Sequence, residues 1–213
     1  MVAVEAGADA LGFVFYEKSP RYVDLEKARD IVARIPDHIE KVGVFVNTPL
    51  KQVIQTSLDW GLTTAQVYGD QAALTDQYRA LHNNGPHPKL ILAVDGNGFT
   101  DPNHSTGWFI SEGFADRLFA LLVDCGSGQQ PGGTGNRFDW TKARGAVQAM
   151  NAIRPTIVAG GLDPWNVKTA MSLLHPWGVD VSSGVEAVPG KKDPEKVRAF
   201  IRAVREADEA DQN

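Results

Sequence analysis

Short apolar runs alternate with longer amphipathic stretches along the whole chain, and that alternation constrains the fold more than any other feature. The runs are "ALGFVFY" (10–16), "KVGVFVN" (41–47), "TTAQVYG" (63–69), "KLILAVD" (89–95), "LFALLVDC" (118–125), "TIVAGG" (156–161) and "GVDVSSG" (178–184). Most are rich in β-branched or aromatic residues and bounded by turn formers, as strands are. Between them, "LEKARDIVARI" sets Leu25, Ala28, Ile31, Val32 and Ile35 at helical spacing. "PLKQVIQTSLDWG" begins on Pro49 and ends on Gly61, the punctuation expected at the two ends of a helix. A last helix is expected in "DPEKVRAFIRAVREAD", with Asp193 as N-cap, Pro194 next, and a stripe of Val197, Phe200, Ile201 and Val204.

Alternating strand and helix implies parallel strands with both faces covered, and nearly continuous apolar strands agree. Two α/β architectures fit: an open doubly wound sheet, or a (β/α)8 barrel with one unit incomplete. The barrel is favoured because polar and glycine residues gather just after most strands. The opening "VAVEAGADA" also reads as the tail of a helix running straight into a strand. On that reading residues 1–213 are a single barrel domain lacking its first strand and the start of its first helix, and Met1 is an internal methionine. Residues 96–115 have turn signals but weak helical periodicity, the pattern of a loop with a short helix. The acidic tail "EADEADQN" is expected to fray.

Composition narrows the partners. A formal charge of −5 with no Lys/Arg cluster leaves no basic surplus for nucleic acid. No apolar run reaches membrane-spanning length. A single cysteine makes no internal disulfide, so a reducing, cytoplasmic setting fits. The five histidines are scattered without ligand spacing, which argues against a metal site. Helix-face patterns leave a monomer and a dimer equally open.

Phosphate is best held by backbone N–H groups at turns and helix N-termini, where glycine permits close approach. Three strand ends offer this: "GGTG" with Gly133 and Thr134, "AGG" with Gly160 and Gly161, and "SSG" with Ser182, Ser183 and Gly184. Counting an absent first strand, the last two follow strands seven and eight, where barrels commonly seat phosphate. Each alone is equally a tight turn. Asp124 ends an apolar strand, where a partly desolvated carboxylic acid can protonate a leaving oxygen; bracing a loop is its other reading. Cys125 follows it, so strand alternation sends the thiol to the opposite face as a buried, inert group. Arg21 in "KSPRYV" can pair with a carboxylate or simply be solvated. Asp180 falls within a strand pattern, where a carboxylate needs a donor or a site, and Gln66 is a weaker parallel. Asp139 reads as a helix cap.

"EAGADALGFVFYEKSPRYV", "KVGVFVN", "VDCGSGQQPGGTGNRFDW", "IVAGGLDPWNV" and "GVDVSSGVEAVPGKKDPEKVRAFI" together resemble the phosphoribosylanthranilate isomerases, in that family's order and over almost the whole chain. Residues 62–115 resemble it least: the usual "Q-L-H-G" stands here as "QVYG", with Tyr68 for the histidine. The resemblance implies a (β/α)8 barrel and an Amadori rearrangement of a phosphorylated substrate in tryptophan biosynthesis, with no metal or redox cofactor. Asp124 matches the family's general acid, Arg21 the arginine at the anthranilate end, and Asp180 a polar contact there. Gly161, Ser182, Ser183 and the "GGTG" loop match phosphate-side positions. The family's general base is a cysteine in a "K-I-C-G" stretch ending strand one; this chain contains no such stretch, and Cys125 does not match it. Other phosphosugar barrels are the nearest rivals, yet they want a catalytic lysine or paired glutamates inside strands. A non-catalytic phosphate-binding barrel is the alternative of a different class.

Overall fold

A computed structural model describes residues 1–80, 86–99, 118–125 and 135–211 of the chain. All seven expected runs form strands: β1 (Ala10–Val14), β2 (Glu40–Val46), β3 (Thr64–Tyr68), β4 (Lys89–Asp95), β5 (Leu118–Asp124), β6 (Thr156–Val158) and β7 (Gly178–Val179). They are ordered in one sheet as they occur in the chain, with parallel pairing from β1 to β4 and from β5 to β7. The described helices are α1 (Val2–Ala6), α2 (Leu25–Val32), α3 (Leu50–Asp59), α4 (Gln71–Ala80), α5 (Trp140–Ile153), α6 (Val167–Leu174) and α7 (Pro194–Asp211). None of them is long and apolar enough to cross a membrane.

The described residues group into two compact units. One holds 9–80, 86–93 and 118–120; the other holds 1–8, 94–99, 121–125 and 135–211. In the first, every residue of β3 is buried, as a strand covered on both faces requires. Leu50 and Val53 of α3 are buried, and the Gln77 side chain accepts the Leu50 N–H at 2.8 Å, satisfying an orphan donor that Pro49 cannot. Gly61 ends this segment at φ 65°, as its position past the helix suggested. Ala28, Val32 and Ile35 are buried. Ile31, expected on the same stripe, is 47% exposed. Helix α2 stops at Val32, and the inward face runs through 28 and 32, leaving Ile31 at its margin.

In the second unit Leu121, Leu122 and Val123 of β5 are at most 2% exposed, each worth about 1.5–3 kcal/mol of burial. Asp139 caps α5, accepting the Lys142 N–H at 3.1 Å, and Asp193 caps α7 through the N–H groups of Glu195 and Lys196. Helix α7 buries Val197, Phe200 and Ala203 and packs on α1, where Arg205 donates to the Gly7 carbonyl at 2.8 Å. The helix is described as far as Asp211, and its Glu206 pairs with Lys168. Sequence periodicity did not anticipate the antiparallel hairpin of β8 (Glu186–Val188) and β9 (Lys191–Lys192), turned by Gly190 at φ 81°. Of residues 96–115, the described part is a 3-10 turn, Gly96–Phe99.

Candidate active site

The carboxyl ends of β5, β6 and β7 build one cluster within the second unit. Parallel register sets the ends level: the Ala159 N–H donates to the Val123 carbonyl at 2.8 Å and the Asp180 N–H to that of Val158 at 2.9 Å. Asp124 is the last residue of β5 and only 4% exposed. Just past β6 the backbone turns through Gly160 at φ 80° and Gly161 at φ 61°, conformations that favour glycine. A Cβ on Gly160 would stand 3.0 Å from Asp124 Oδ1 and 2.9 Å from the Cys125 nitrogen. The bare Cα of Gly160 is therefore what gives the carboxyl its place.

The same hypothetical Cβ would stand 3.2 Å from Cys125 Sγ. Strand alternation had sent that thiol to the opposite face; the ladder ends at Asp124, so the two-residue period no longer governs the next side chain. The thiol is half-buried rather than buried, and its pKa is pushed up to about 12 by burial, then by the carboxylates of Asp124 and Asp95. An N–H hydrogen bond from Phe138 opposes the shift and is outweighed. A raised pKa disfavours the thiolate, the reactive form of the group.

Asp180 lies one residue beyond the two-residue β7, at the strand's end rather than within it. Although part of the residue stays accessible, burial and then the Asp124 carboxylate raise its pKa to about 6. The Lys192 ammonium and the Val181 N–H pull the other way. Two acids near one another at strand ends, one pushed toward neutrality, are an arrangement suited to proton transfer. Lys192 itself was not singled out from sequence. Its ammonium donates to the Ser182 carbonyl at 2.7 Å and pairs with the buried Glu186 at 3.3 Å, while Lys196 donates to the Glu186 carbonyl at 2.9 Å. The available signal was the "PG" turn at 189–190, which folds Lys192 back toward Glu186.

Gly161, Ser182, Ser183 and Gly184 join the cluster. Asn166, at the N-cap of α6, donates to the Gly161 carbonyl at 2.9 Å and accepts the Asp163 N–H at 3.0 Å, locking the loop. A Cβ on Gly184 would overlap the Leu162 carbonyl, so the loops after β6 and β7 touch backbone to backbone. Gly133 and Thr134 lie outside the described residues. Arg21 belongs to the first unit, in the loop after β1, and its N–H donates to Ser19 Oγ at 3.1 Å. There too, Gln66 is buried and donates to the Tyr68 hydroxyl at 3.2 Å, so the tyrosine in "QVYG" braces its neighbour. No group of three or more His, Cys, Asp or Glu among the described residues is placed to hold a metal ion.

A model of the N-(5'-phosphoribosyl)anthranilate isomerase family matches residues 1–203. The chain belongs to this family. An N-(5'-phosphoribosyl)anthranilate isomerase from Pelobacter propionicus is 42% identical over 206 residues, covering 97% of this chain and 90% of that protein. The crystal structure of the phosphoribosyl anthranilate isomerase from Thermotoga maritima matches with a TM-score of 0.78 and 32% identity, covering 96% of this chain and 92% of that one. A crystal structure of phosphoribosyl anthranilate isomerase in complex with reduced 1-(o-carboxyphenylamino)-1-deoxyribulose 5-phosphate matches with a TM-score of 0.70, 30% identity, and coverage of 96% and 91%. The family resemblance read from the motifs is borne out, and so is the parallel α/β architecture.

Proposed function

We propose that the chain catalyses the rearrangement of N-(5'-phosphoribosyl)anthranilate to 1-(2-carboxyphenylamino)-1-deoxyribulose 5-phosphate, a step of tryptophan biosynthesis. One observation carries the residue assignment: a buried Asp124 set against Gly160, beside the loops of Gly161 and Ser182–Gly184. In this reading Asp124 gives its proton to the furanose ring oxygen. The C1–oxygen bond breaks as the anilino nitrogen's lone pair forms a Schiff base. A base then takes the C2 proton, and the resulting enolamine shifts to the aminoketone. Backbone N–H groups around Gly160, Gly161, Ser183 and Gly184 hold the phosphate, joined by Gly133, Thr134 and the Ser182 hydroxyl. Arg21 pairs with the anthranilate carboxylate, and Asp180 is a polar contact at that end.

The finer architecture belongs to the same proposal: the parallel sheet is that of a (β/α)8 barrel. The strand order supports it, because the strands follow one another in the sheet as they do in the chain, as barrel strands do. The activity is tested by incubating the protein with phosphoribosylanthranilate and following loss of substrate fluorescence. Binding of the reduced product analogue without turnover would instead identify a non-catalytic phosphate-ligand barrel.

A further inference from the structure

We propose that Lys192 is the positioning residue of the phosphate-side loop, turning the backbone after β7 so that its N–H groups face the ligand. This rests on the reading of Ser182–Gly184 as a phosphate seat. The hairpin of β8 and β9 carries the lysine ten residues back along the chain to the Ser182 carbonyl, at 2.7 Å. The C=O and N–H of a trans peptide point in opposite directions, and no cis peptide bond occurs among the described residues. Anchoring the Ser182 carbonyl on Lys192 therefore aims the Ser183 N–H to the far side of that peptide. The 3-10 turn Ser183–Val185 starts there, so the next N–H groups follow the same direction.

Two further contacts make the anchor stiff. Glu186, with its side chain only 5% exposed, fixes the ammonium at 3.3 Å, and Lys196 secures the Glu186 backbone from α7. On the other side, Gly184 sits against the Leu162 carbonyl with no space for a side chain, so a shift in one loop displaces the other. Lys192 thus acts through the backbone.

Lys192→Met keeps the stem and removes the charged donor, while Lys192→Arg keeps the charge. Inorganic phosphate and the reduced product analogue are titrated calorimetrically into each protein. Loss of one charged hydrogen bond predicts affinity weaker by about ten- to a hundredfold in Lys192→Met. Recovery to within about threefold is expected in Lys192→Arg, which retains a charged donor. Where turnover is measured, KM rises by a similar factor and kcat falls much less, a split that a general loss of packing does not produce. Glu186→Gln loosens the ammonium without removing it and is expected to weaken phosphate binding by about three- to tenfold. This second variant decides the matter if Lys192→Met does not fold. Phosphate affinity unchanged in either folded variant overturns the proposal, as does absence of phosphate binding by the wild type. Phosphate binding that depends on Lys192 without any turnover leaves this inference standing and removes the proposed activity.

Discussion

Two sets of strand ends hold charged groups in this molecule, and they treat them in opposite ways. At the amino ends of β2, β3 and β4, in the first unit, Glu40 accepts hydrogen bonds from Thr63 at 2.7 Å, Thr64 at 2.8 Å and the Lys89 ammonium. Lys89 in turn lies 4.8 Å from the centre of the Phe119 ring. Burial pushes the Glu40 carboxyl up, yet the bonds from Lys89, Thr63 and Thr64 and the Lys89 charge together hold it below the usual carboxylate range. At the carboxyl ends of β5 and β7, in the second unit, Asp124 and Asp180 face each other electrostatically, and Asp180 is pushed up to about 6. Donors hold the Glu40 carboxyl down at one set of ends, whereas burial and a neighbouring carboxylate push Asp180 up at the other.

The largest expected effect is at the carboxyl ends of β5 and β7. Asp124→Asn removes the proposed proton donor while keeping the side chain's shape, and should lower kcat by about a hundred- to ten-thousandfold. Turnover within tenfold of wild type would place the acid elsewhere. Gly160→Ala comes next. The new Cβ meets the Asp124 carboxyl and the Cys125 backbone, and φ is 80°, so about 1–3 kcal/mol of stability should be lost along with most activity. Chemical denaturation measures the first and the fluorescence assay the second.

Stability against pH sharpens the comparison, because the two carboxyls slope in opposite directions. Asp180 has a folded pKa of about 6 against an ordinary 3.8, so between those values the native state binds more protons than the unfolded one. Its contribution to stability therefore falls as pH rises through that window and stays unfavourable above it. Asp180→Asn should be more stable than wild type by about 1–3 kcal/mol at pH 7, with the gain fading toward pH 4, and less active. Glu40 works the other way: its folded pKa lies below the ordinary 4.5, so its contribution is present above 4.5 and is lost as pH falls through the folded value. Glu40→Gln should cost about 1 kcal/mol at pH 7, shrinking in acid, since this half-exposed network is screened. Activity should stay within about twofold. Urea titrations of both variants at pH 4 and pH 7 read the two signs directly; equal slopes would end the contrast.

Much of the strand frame was legible, because burial on both faces writes long apolar runs into a parallel sheet. β4 occupies the whole of "KLILAVD", and β5 all but the last residue of its run. The runs at 156–161 and 178–184 were read too long: β6 keeps three residues and β7 two. Composition marks where a chain can pair, whereas the positive φ of Gly160 and Gly161 decides where it leaves the ladder. Asp124 and the glycine loops were visible because a lone acid ending an apolar run is conspicuous. The Glu40–Lys89 clamp and the Lys192–Glu186 pair were not, because surface-type residues show no period and their partners are set by register and by a hairpin. The raised pKa of Asp180 is of the same kind, depending on an acid two strands away in the sheet order.

Cys125 tests how far the reactive character of these ends extends. It adjoins the proposed proton donor, yet its pKa of about 12 against an ordinary 9.0 leaves roughly a thousandfold less thiolate at pH 8. A more basic thiolate is intrinsically more nucleophilic, which recovers nearly half of that deficit on a logarithmic scale. Exchange with an aromatic disulfide reagent should then run about thirty- to sixtyfold slower than for a free thiol. Partial burial slows it further without changing the pH dependence. The rate should keep climbing through pH 10, where an ordinary cysteine has levelled off. Cys125→Ala should retain activity within about twofold, as expected for a bystander whose removal also spares Asp124 a crowded neighbour. A fast, levelled exchange at pH 8, or loss of turnover in the alanine variant, would mean that the thiol shares the chemistry of the acid beside it.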